Sequence, residues 1–127
     1  MISPRMFKRF MVPVLSQQCA WLDHALYHLD GHQCLIHLDA LLSIENLDAI
    51  EWTPDPGVPS GGSPEWCPLY RKILTAGKSV QSVGVKPAEI NPLIEAVGPA
   101  GLHVQTQFQS ESEAWEVFRE IERYRPE

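Results

Sequence analysis

Apolar positions along the chain switch between helical and extended spacing, and the switches mark out its elements. Phe7, Phe10, Met11, Val14 and Leu15 recur at helical spacing behind Ser3-Pro4, a cap followed by proline at the first helical position. They predict a helix to about Leu22, bent at Pro13, which lacks the N–H that a helix interior uses. Residues 25–29 are short and apolar enough for a buried strand, and Leu35, Leu38, Leu41 and Leu42 then share one helical face. A second strand is predicted over 47–53.

The Pro-, Gly- and Ser-rich run "PDPGVPSGGSP" must be a loop, and Ser63-Pro64-Glu65 repeats the cap-then-proline signature. Leu69 and Ile73 lie on one face of the helix that follows, with Gly77 where a left-handed C-terminal residue belongs. A third strand is predicted over 79–85. A helix opened by Pro87 buries Ile90, Leu93, Ile94 and Val97 and stops at Gly98-Pro99. The fourth strand is predicted over 102–108. Ser110 and Glu113 have capping-box spacing, and Ala114, Trp115, Phe118 and Ile121 form the stripe of a last helix.

A leading helix followed by alternating strands and helices implies an α/β fold with a parallel sheet. Either a small doubly wound sheet or part of a (β/α) barrel fits this order. Alternation puts His28 with Asp30 on one face of the first strand, and His103, Gln105 and Gln107 on one face of the fourth. A doubly wound sheet, covered on both sides, favours continuously apolar strands. Polar residues along one face suit the interior and mouth of a barrel better. A whole barrel of that type needs roughly 250 residues, so about half of one is expected as a single domain over residues 1–127.

Charge and cysteine usage narrow the classes. The net charge is -6, with no basic face for a phosphate backbone, which argues against nucleic acid as a partner. No apolar run approaches the ~20 residues of a membrane span, and Arg5, Lys8 and Arg9 interrupt the N-terminus, so neither a membrane protein nor a signal peptide is expected. A cytoplasmic protein is the default. Cys19, Cys34 and Cys67 are odd in number and far apart, unlike a disulfide framework or a paired-cysteine zinc site.

The stretches "MISPRMFKRFMVPVL", "YHLDG", "HLDALLSIENLDAIEW" and "LYRKILTAGK" together resemble the C-terminal half of the uroporphyrinogen decarboxylase-like superfamily, nearest its corrinoid methyltransferase-like branch. The resemblance runs from Ile2 to about Trp115 and lies in the ordered series rather than in one motif. It implies the last four βα units of a TIM-type (β/α)8 barrel with the helix before them, and Met1 then looks like an internal methionine of a longer ancestor or gene. It also implies a decarboxylase-like or methyltransferase-like activity on a small acid or methylated compound, and a corrinoid protein as a possible partner. Zinc methyltransferases of the superfamily carry H-x-C-G where this chain has His28-Leu29-Asp30-Gly31, so His28 and Asp30 become the expected zinc ligands, with Asp30 standing in place of a thiolate.

The candidate catalytic residues are His28, Asp30 and Glu51. Tyr27, Trp52, Gln105 and Gln107 are the expected substrate-binding residues. Bland alternatives exist for each: Asp30 as the cap of the next helix, Trp52 as core packing, Gln105 and Gln107 in water or at an interface. Which of Glu51 and Trp52 points inward is open at this stage. His32 and Cys34 spell H-x-C, but alternate positions at a helix start do not face each other, and His37 is expected on a partly exposed flank. The long loop is a candidate gate or a free surface segment, and Lys86 a solvated residue or an anion contact. A half-barrel leaves sheet edges bare, which predicts a homodimer or higher oligomer. The alternative to an enzyme is a non-catalytic half-barrel remnant or binding module that self-associates.

Overall fold

Each predicted strand is present, and together they form one parallel sheet. The computed structural model describes residues 2–125. The strands are β1 (Leu26–Asp30), β2 (Ala49–Thr53), β3 (Ser79–Val85) and β4 (Leu102–Thr106), paired in the order β1-β2-β3-β4. Helical segments separate consecutive strands, so the chain steps across the sheet one strand at a time. The fold is α/β, with five helical stretches and four parallel strands among the described residues.

The leading helix α1 runs as Pro4–Met6, a π-helical turn Phe7–Met11, and Val12–Trp21. Its widened turn accommodates Pro13: the Val12 N–H reaches back to the Phe7 carbonyl just before the residue that has no donor. Helix α2 is not the even amphipathic helix its leucines suggest. It begins as a 3-10 stretch, His32–His37, and becomes α-helical only over Leu38–Leu42, although Leu38 and Leu41 are buried as expected. Helix α3 (Pro64–Trp66, then Cys67–Thr75) starts at the Ser63 cap. Helix α4 (Pro87–Glu89, then Ile90–Val97) follows β3, and α5 (Glu111–Ile121, then Glu122–Tyr124) follows β4, capped by Ser110.

Side chains alternate across the sheet, and one set is buried. Ala25 and Leu29, Ile50 and Trp52, and Val80 join Leu41, Tyr70, Ile73, Ile90 and Leu93 from the helices in one apolar core. At roughly 1.5–3 kcal/mol for each large side chain removed from water, this layer is the main source of stability. Several polar groups inside it are answered locally, while Trp52 Nε1 and His37 Nδ1 are buried without a hydrogen-bond partner. The Ser82 and Tyr70 hydroxyls lie 2.8 Å apart, each placed to donate its one proton either to the Gly61 carbonyl or to the other. Lys78 is buried with Nζ on the Ile44 and Leu47 carbonyls, 2.8 and 2.6 Å away. His37 departs from its expected flank position: it is buried and stacks on Phe7 at 4.3 Å, tying α1 to α2.

The loop between β2 and α3 is fastened rather than a free gate. Trp66 Nε1 donates to the Pro59 carbonyl, Ser60 donates to Glu89, and the Tyr70 and Ser82 hydroxyls lie against the Gly61 carbonyl. Gly61 has no room for a side chain, since a Cβ there would lie 2.1 Å from the Val83 carbonyl oxygen. No helix among the described residues is long and apolar enough to cross a membrane.

Candidate functional site

The face of the sheet turned away from this core is polar and open. Parity along β1 sends Tyr27 and Leu29 inward and leaves Leu26, His28 and Asp30 on the other side. The parallel register then aligns His28 with Glu51, Glu51 with Gln81, and Gln81 with His103. One residue from each strand therefore stands in a single row across the open face.

Three members of the row are hydrogen-bonded. His28 Nδ1 pairs with Glu51 Oε1, and Gln81 Nε2 donates to Glu51 Oε2 at 3.1 Å. Thr53 Oγ1 donates to Glu51 Oε1 at 3.4 Å. The Glu51 carboxylate is thus held from three sides and is only 20% exposed, whereas the His28 side chain is 54% exposed. His28 Nε2 lies 3.9 Å from Asp30 Oδ2, and Asp30 is 70% exposed. In the neutral ring, with Nδ1 donating to Glu51, Nε2 carries the lone pair and faces the open side beside the Asp30 carboxylate.

Asp30 is not the cap of the following helix. That position is Gly31, and the carboxylate that bonds the His32 backbone N–H, at 2.8 Å, comes from Asp55 in the long loop. Asp55 also bonds the His32 ring. The backbone bond first, and the ring bond second, hold the Asp55 carboxyl below its ordinary value. His32 thereby faces Asp55, not Cys34.

Two expected substrate contacts are corrected. Tyr27 lies on the core side, where burial first, and Cys34 beside it, raise its phenol above the ordinary value. Trp52 is wholly buried, its ring 4.9 Å from that of Trp66, because the parity that brings Glu51 to the open face sends its neighbour inward. Gln105 and Gln107 are exposed, Gln105 on the open side of β4 and Gln107 just past its end. The amide that reaches the carboxylate is instead Gln81. Lys86 is solvent-facing, 4.0 Å from Glu89.

Zinc does not fit this arrangement. A catalytic zinc takes three protein ligands, but His28 has one ring nitrogen committed to Glu51 and only Asp30 beside the other. Among the described residues no three His, Cys, Asp or Glu side chains are placed to hold a metal ion.

No protein-family model, curated protein or solved structure matches this chain.

Proposed function

We propose that this chain is half of a TIM-type barrel of the uroporphyrinogen decarboxylase-like kind, and that its polar face binds a small methylated compound of neutral or positive charge. The observation that carries the reading is the His28–Glu51–Gln81 row, on the face that would become the inside of such a barrel. Sequential strand order supports the half-barrel, since barrel strands follow one another round the ring. Charge selects between the two substrate classes that the family resemblance allows. Glu51 and Asp30 outweigh His28 whether or not the imidazole is protonated, so a free acid is repelled and an alkylammonium ion is attracted.

In this reading His28 Nε2 accepts a hydrogen bond or a proton from the ligand, and Asp30 supplies the counter-charge. Glu51 is a positioning residue. It fixes the imidazole tautomer through Nδ1, and Gln81 and Thr53 fix Glu51 in turn. Aspartate in place of a thiolate at position 30 leaves no support for thiol activation through zinc.

Methylammonium and acetate are the probes. In an NMR titration methylammonium is expected to shift the His28 ring and the Asp30 amide saturably, with acetate inactive at both. Asp30→Asn removes a solvent-screened charged partner worth up to about 1 kcal/mol, so binding should weaken roughly two- to fivefold. Preferential binding of acetate would overturn the choice of substrate class. If neither ion saturates at His28, the chain is a non-catalytic half-barrel.

A further inference from the structure

The sheet has two bare edges, β1 and β4, and the surfaces beside them are unlike each other. Ahead of β1, and packed on the following helix through the Phe7–His37 stack, α1 exposes Met6, Phe10 and Val14 at four-residue spacing, and Trp21 beyond them is 85% exposed. Next to β4, α5 exposes Trp115 and Phe118, stacked edge to face, over an apolar cleft of about 730 Å³. Ile94, Val104, Phe108 and Ile121 are among the residues lining this cleft. Apolar patches of this kind on a small protein mark surfaces that become covered.

Charge assigns one surface to the other. Residues 2–22 carry Arg5, Lys8 and Arg9 and no acidic residue, whereas residues 111–122 carry five glutamates and only Arg119. Two leading helices brought together would repel, as would two copies of α5. A leading helix against α5 pairs opposite charge as well as apolar stripe with apolar cleft.

We propose that a second copy of this chain completes the sheet. β1 of each copy adds in parallel to the β4 edge of the other, and each leading helix seats against the partner's α5 and its cleft. Both junctions are then satisfied about one two-fold axis, which closes an eight-stranded ring and leaves no bare edge. The open face becomes the interior, and His103 and Gln105 of one copy come beside the partner's His28 and Asp30. The inference rests on the half-barrel reading above and names what completes it. It also supplies the second wall that a ligand on an open, half-exposed face lacks.

Sedimentation equilibrium with charge-reversed variants tests it. The unaltered chain should show a reversible dimer. Arg5→Glu/Lys8→Glu/Arg9→Glu should be monomeric because both junctions become like-charged, and Glu111→Lys/Glu116→Lys/Glu122→Lys, which makes residues 111–122 net positive, should be monomeric for the same reason. Mixing the two variants should restore a dimer, since each junction of the mixed pair again joins opposite charges, and this recovery shows that both variants are folded. A monomer at every concentration overturns the proposal and assigns the edges to a different chain. Species growing beyond the dimer, or no recovery on mixing, overturn the closed two-fold pairing. Methylammonium titration of His28 in the unaltered chain reads the site separately, so a failed association and a failed site are told apart.

Discussion

His28 and Asp55 show how single side chains on the rim are fixed by partners far away in sequence. Glu51 makes His28 directional, and the long loop returns Asp55 to bond both the backbone and the ring of His32. The depressed Asp55 carboxyl has a definite pH consequence. A lowered folded-state pKa contributes stability above the ordinary carboxylate value near ~4, and that contribution is lost as pH falls through the lower folded value. The His32 amide proton shift should therefore stay constant through the ordinary carboxylate range and move only below it. A midpoint at or above ~4 would show that Asp55 does not hold this turn. His28 and Asp30 were legible as neighbours because two residues apart in a strand means one face. Gln81 was not, since in Ser79–Val85 serine and valine occur on both parities and neither face stands out as polar.

At the scale of elements, apolar spacing located the strands because each is bracketed by turn residues and a helix. β3 matches its predicted range residue for residue, while β2 is two residues shorter than predicted at its start and β4 two residues shorter at its end. The period did not reveal the parity of β2, because Glu51 and Trp52 are adjacent and either suits a strand. Burial decided it: a tryptophan ring gains far more from the helix layer than a carboxylate, which keeps its hydrogen bonds on the open face. Spacing also missed the tight start of α2, where leucines at helical intervals fit 3-10 and α geometry alike over so short a run. The loop between β2 and α3 looked free by composition, but Gly61 and Gly62 in it serve close approach to β3. Gly61→Ala places a methyl group against the Val83 carbonyl and should cost about 1–3 kcal/mol in urea denaturation. Unchanged stability would mean that the loop is not seated there.

Across the whole molecule, one layer of helices buries one face of the sheet and leaves the other to His28, Glu51, Gln81 and His103. The covered face holds the fold together, and the ligand and the second copy proposed above are assigned to the bare face and edges. The polar row is a site only if three strands, in register, fix the His28 ring before any ligand arrives. Long-range ¹H–¹⁵N spectra of the imidazoles in the intact protein read this directly. Above the titration of the ring, His28 should be the Nδ1-protonated tautomer with Nε2 bare, and Glu51→Gln should weaken that preference. An Nε2-protonated His28, or an averaged ring indistinguishable from exposed His24, would contradict the claim that this face is built as a site.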